Sequence, residues 1–135
     1  MSNSIRRIRL PGVFPEPISH YTDAVIAGNI LWISGTTGNR ADKEIAVGDV
    51  VAQATDAYEQ IGAMLENVGS TFADVIKTTT YVTNIDDWKV VNAVRKKFFG
   101  DSLPAATLIE VSRLATPELL IEIDVVALVN NTQSN

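Results

Sequence analysis

A glutamate flanked by isoleucines, Ile121-Glu122-Ile123, is the position in this 135-residue chain where a side chain most plainly asks for a chemical explanation. A carboxylate inside a strongly apolar strand pattern is costly unless it is paired or at work, because desolvation disfavours its charged form. One reading makes Glu122 a base that orients and activates water, with a raised pKa strengthening it. The other makes it an exposed or salt-bridged strand residue. Asp124 falls on the same strand face two residues on, where a structural role is expected. Tyr21 offers a phenol that either donates to a ligand or packs in an interface. His20, the single histidine, carries the side chain whose unperturbed titration falls near neutral pH. It is read either as incidental or as a polar group at a pocket rim.

Composition removes several chemistries. With no cysteine there is no disulfide, thiolate ligand or thiol nucleophile. One histidine leaves no multi-histidine metal cluster, so neither a metal nor a cofactor is expected. Gly35-Thr36-Thr37-Gly38 resembles an anion-binding loop only loosely and lacks the Lys-Ser/Thr ending of a phosphate loop, which argues against nucleotides. The net charge of −5 speaks against a nucleic-acid partner. The short basic clusters, Arg6-Arg7-x-Arg9 and Arg95-Lys96-Lys97, read as solvated faces. The first ten residues lack an apolar signal core, and no apolar run approaches the ~20 residues of a membrane span. A cytoplasmic location without membrane association is the expectation. The Asn130-Asn131-Thr132 sequon carries no weight without a secretory signal.

The elements that must position these residues follow from periodicity. At 135 residues and 46% hydrophobic content, one globular domain covering 1–135 is expected, with 130–135 a frayed tail. Residues 5–10 read as a short strand stopped by Pro11-Gly12. Segments 24–27 and 30–34 read as a hairpin around Gly28-Asn29. Residues 35–44 read as a loop and 45–47 as a further short strand. Apolar residues at 50, 51, 54, 57, 58, 61, 64, 65 and 68 predict a long helix over 49–68, capped near Asp49 and ended by Gly69. The β-branched run 75–83 predicts a strand, 86–99 a second helix closed by Gly100, and 106–113 and 119–129 two last strands. Trp32, Trp88, Phe98 and Phe99 read as core or interface residues. Two amphipathic helices on one face of a sheet make a two-layer α+β domain. On the last strand both faces are substantially apolar, which predicts burial on both sides, and self-association is one route to that.

Taken in order, several segments resemble the RidA/YjgF family of small enamine/imine deaminases. They are Pro-Ile-Ser-His-Tyr-Thr-Asp-Ala (17–24), Gly-Asn-Ile-Leu-Trp-Ile-Ser-Gly (28–35), Ala-Gln-Ala (52–54) and Asp-Val-Ile-Lys-Thr-Thr-Thr-Tyr-Val-Thr (74–83). Val-Val-Asn-Ala-Val-Arg-Lys-Lys-Phe-Phe-Gly (90–100), Leu-Pro-Ala-Ala-Thr-Leu-Ile-Glu-Val-Ser-Arg-Leu (103–114) and the strand around Glu122 complete the series. No single piece decides; their joint order and spacing do. The resemblance implies a chorismate-mutase-like fold with a mixed sheet, assembled as a homotrimer with active sites between subunits. It implies that Tyr21 lines the pocket, that the turn Ser34-Gly35 brings backbone to the substrate, that Asn92 lies near the site, and that Glu122 positions the attacking water. Ala106 stands where the best-known members carry the arginine that anchors a substrate carboxylate, and Leu108 where many have cysteine.

Losing that arginine predicts weak binding of small 2-imino acids, since removing one member of a desolvated bidentate pair commonly costs about 2–5 kcal/mol. Either the substrate is larger or less charged, as with aminomuconate-like enamines, or its carboxylate meets Arg95, Arg113 or His20. The expected function is a cofactor-free hydrolytic deaminase. The alternative is a non-catalytic trimer binding a small metabolite or a partner protein in the same cleft; RNA binding or cleavage is the weakest reading.

Overall fold

The computed structural model describes residues 4–129; the sequon and the expected tail at 130–135 lie outside them. Six strands form one sheet in the order β1-β2-β3-β6-β4-β5. They are β1 (Ile5–Ile8), β2 (Ala24–Ala27), β3 (Ile30–Thr37), β4 (Val75–Val82), β5 (Ala105–Glu110) and β6 (Ile121–Leu128). The β4–β5 pair is parallel and the other pairs are antiparallel, so the sheet is mixed as expected. Gly28 opens the β2–β3 turn at φ +63°, a conformation that disfavours side chains with a Cβ.

Two helices, α1 (Val50–Asn67) and α2 (Trp88–Phe99), cover one face of this sheet. The Asp49 carboxylate caps α1 by accepting from the Ala52 amide at 3.0 Å, which satisfies one otherwise orphaned donor. Alternate residues of β6, namely Ile121, Ile123, Val125 and Ala127, are buried under the helices with Tyr58, Ile61, Met64 and Leu65 of α1. An aromatic cluster of Tyr58, Phe72, Phe98 and Phe99, with ring centroids 5.2–6.2 Å apart, joins α1 to α2. Phe98 and Phe99 are thus core residues, whereas Trp32 and Trp88 are about half exposed.

Two local expectations fail. The stretch 45–47 is not a strand: the Ala46 carbonyl is taken by the Gln53 side chain (3.0 Å), and Val47 is exposed. The loop expected from residue 35 begins later, because β3 continues through Thr37. It does so with a bulge: Ile33 pairs with Val125 and Thr36 with Ile123, leaving Ser34 and Gly35 opposite Asp124 alone.

Candidate functional site

Two concavities hold most of the residues singled out from the sequence. The larger, about 430 Å³, is lined by Tyr21, Ser34, Gly35 and Glu122 together with Phe14, Ile18, Asp23, Thr37, Gln60 and Leu119. The smaller, about 260 Å³, is lined by Asn92, Arg95, Ala106 and Leu108 with Thr80, Trp88 and Val91. Within one chain, therefore, Ala106 and Leu108 are not the floor of the Glu122 cleft. They lie on the helix side of the sheet, in register with Thr78 and Thr80, beneath α2. His20 and Arg113 are exposed and line neither concavity, although Ser19 and Tyr21 on either side of His20 do line the larger one.

The bulge builds the larger cleft. Ser34 donates its hydroxyl to the Thr22 carbonyl at 2.7 Å, and the Ser34 carbonyl accepts from the Thr36 hydroxyl at 2.8 Å. Ser34 is thereby a backbone brace inside β3, and the pair Ser34-Gly35 is a strand bulge where a turn was expected. Gly35 is required by proximity. A Cβ built there would lie 2.8 Å from the Glu122 Cδ and closer still to its Oε2, so only glycine lets the carboxylate rest on this backbone. Burial pushes the Glu122 carboxyl above the ordinary carboxylate value, and the Asp124 charge two residues along adds to the shift. Asp124 in turn accepts from the Tyr81 hydroxyl at 3.1 Å, the structural role expected of it. Glu122 has no salt-bridge partner among the described residues.

Two buried glutamines hold this cleft, Gln53, which entered above only within the segment Ala-Gln-Ala, and Gln60, to neither of which the sequence assigned a role at the site. Gln53 donates to the Ala46 and Glu118 carbonyls (3.0 and 2.9 Å) and accepts from the Leu120 amide (2.9 Å), pinning the chain just ahead of Glu122. Gln60 donates to the Thr37 carbonyl at 2.8 Å, while its buried Oε1 has no partner among the described residues and the side chain lines the cleft. Their sequence signal was a polar stripe: residues 53 and 60 sit seven apart along α1, two turns on the same side, bordering its apolar face.

The smaller pocket is cationic. Arg95 donates from one terminal nitrogen to the Tyr58 hydroxyl (3.0 Å) and the Thr78 hydroxyl (3.1 Å), and its guanidinium sits 5.3 Å from the Phe99 ring centroid. Burial raises the Tyr58 phenol pKa despite the opposing Arg95 charge, so Tyr58 stays neutral in the physiological range. Among the described residues, no group of three or more His, Cys, Asp or Glu could hold a metal, and no helix is long and apolar enough to cross a membrane.

The family model described as endoribonuclease L-PSP matches residues 12–129. The chain belongs to this family, the RidA/YjgF family. It is 40% identical over 114 residues to a RutC family protein of Pyrococcus horikoshii, covering 84% of this chain and 90% of that one. It is 35% identical over 115 residues to the 2-iminobutanoate/2-iminopropanoate deaminase of Capra hircus, covering 84% of each. The crystal structure of the YjgF gene product from E. coli superposes with a TM-score of 0.83 at 30% identity, covering 93% of this chain and 99% of that one. The family thus includes imine deaminases, and its architecture is the two-layer arrangement seen here.

Proposed function

We propose that this protein is a cofactor-free hydrolytic deaminase of a reactive imine or enamine, acting as a homotrimer. The observation that carries this reading is Glu122, a partly desolvated carboxylate with no salt-bridge partner among the described residues, laid on the Gly35 backbone in the wall of an open cleft. A carboxylate whose proton is held more tightly is a stronger base once ionised. Water oxygen attacks the carbon of the protonated imine as Glu122 takes a water proton, and the nitrogen becomes a neutral amine on a tetrahedral carbon that bears the new hydroxyl. Glu122 then returns the proton to that nitrogen; as the C–N bond breaks, the hydroxyl gives its proton to the freed carboxylate, ammonia and a carbonyl compound leave, and Glu122 passes that last proton to ammonia or solvent. An imine carbon is already electrophilic, so positioning and one carboxylate supply much of the needed acceleration.

The trimer is part of the same reading. The groups implied for one active site separate into two concavities of a single chain, and apposition of the Glu122 cleft of one copy with the Ala106 pocket of the next would reunite them. The sheet face away from the helices carries Trp32, about half exposed, with Tyr81 and Val126, a surface suited to self-association. The substrate is larger than the small 2-imino acids, since Ala106 leaves room that a long side chain would fill.

Ammonia release from imines generated in the assay tests this, with sedimentation giving the assembly state. Release that disappears in Glu122→Gln, from a protein that sediments as a trimer, is expected. A folded trimer silent across small, bulky and aminomuconate-like imines would sink the catalytic reading in favour of a binding role.

A further inference from the structure

The smaller pocket has features that hydrolysis alone does not use. Arg95 holds no carboxylate within 4.0 Å among the described residues. Both hydrogens of Nη1 are spent on Tyr58 and Thr78, whereas Nε and Nη2 make no hydrogen bond among the described residues. Those two nitrogens form the side edge of the guanidinium, the fork whose spacing matches the two oxygens of a carboxylate. The fork is also preorganised: two hydroxyls and the Phe99 ring fix its plane, so little side-chain freedom remains to be lost on binding.

A second observation points the same way. Thr80 is 2% exposed and lines this pocket, and its hydroxyl, near enough to Tyr58 to lower that phenol's pKa, closes no hydrogen bond within 3.5 Å among the described residues. A buried unmatched hydroxyl is costly unless a ligand or water completes it. Asn92 adds an exposed amide at the mouth, and Trp88 and Leu108 supply apolar walls.

The geometry points to Arg95 as a carboxylate anchor that grips the substrate from helix α2, with the space over Ala106 receiving an apolar substituent of the same molecule. The ligand class is an organic carboxylate with an apolar body; joined to the proposed deaminase, on which the imine end rests, it is an imino or enamino acid bulkier than the small 2-imino acids. The acid group is kept, and its grip has moved from strand to helix.

Benzoate and its neutral isostere benzamide, titrated into the intact protein with the Arg95 Nε–H resonance followed by NMR, test the anchor. Benzoate is expected to bind at least tenfold more tightly than benzamide and to shift that resonance. Arg95→Met should abolish the preference. Arg95→Lys, which keeps the charge and loses the fork, should recover only a minor part of it. Thermal melts establish that each variant is folded, and if Arg95→Met is not, Arg95→Lys alone carries the test. Equal binding of the two probes, binding of neither, or an unchanged benzoate affinity in the folded variants would overturn the anchor. Ammonia release separates this from the deaminase reading. Benzoate held by Arg95 without ammonia release from any imine removes the enzyme and leaves the anchor; release undiminished by Arg95→Met does the reverse.

Discussion

The two concavities are built by opposite means. The Glu122 cleft is made by departures from regularity: a bulge in β3, a glycine where a Cβ cannot fit, loops tied by Gln53, and a strand end tied by Gln60. The Arg95 pocket stands on regular backbone, with α2 above and the parallel β4–β5 ladder below. One places an anionic group under partial desolvation beside a second acid; the other places a cation with no carboxylate within 4.0 Å among the described residues. Within one chain, proton handling and charge recognition are thereby kept in separate concavities, and Glu122 and Arg95 form no salt bridge with each other.

Substitutions can break this division of labour. Glu122→Gln should have the largest effect, lowering ammonia release by about 100-fold or more, as expected for loss of a general base, while leaving benzoate binding at Arg95 intact. Gly35→Ala should lower release by roughly 10- to 100-fold through displacement of the carboxylate, since small misplacements at a reacting centre are that costly. The melting temperature should change little, because Glu122 can swing toward solvent and Gly35 is not at a positive φ. Gln53→Ala should act on stability, leaving two carbonyls and an amide without partners. About 2–4 kcal/mol, or a fall of ~10 °C in melting temperature, is expected by calorimetry.

The smallest effects concern protons. With the Glu122 pKa raised in the folded state, ammonia release should climb with pH through a midpoint above the ordinary carboxylate value. Asp124→Asn removes the neighbouring charge and should move that midpoint down, read from the rate profile. Stability has the opposite sign. Between the unfolded and the raised folded pKa the native state binds more protons, so this group's contribution falls as pH rises through that window. Glu122→Gln should therefore melt slightly higher than the parent near neutral pH and no higher at acid pH, where both states carry the proton.

The fold was readable because its cues are periodic. The spacing of Val50, Ala54, Ala57, Ile61 and Leu65 gave α1 to within a residue at each end, and alternation gave β6 its buried Ile121, Ile123 and Val125. What escaped was aperiodic. Nothing in the types of Ser34 and Gly35 announces that two residues will oppose one, and the polar pattern from Thr36 onward reads as loop. Gln53 and Gln60 were assigned no role at the site because burial of an amide depends on distant carbonyls that a local pattern does not contain. Among the site residues, the setting of Glu122 pointed to chemistry, whereas Arg95 read as part of a solvated basic face and entered only as one of three contacts for a displaced carboxylate; the separation of the two into different pockets follows from strand order, with β6 between β3 and β4 and β5 beyond. That order is a long-range property no window of sequence holds.

The bulge at Ser34-Gly35 also bears on how such a protein can change over evolutionary time. A cleft whose shape is set by a one-residue register shift cannot be tuned gradually: deleting that residue would turn the following strand face over, and any side chain at Gly35 evicts the base. The pocket at Ala106, Leu108 and Arg95 consists of side chains on undistorted backbone, and each can be exchanged one codon at a time without moving the frame. New substrate preferences can accumulate there by ordinary point substitution while the water-handling half is inherited whole.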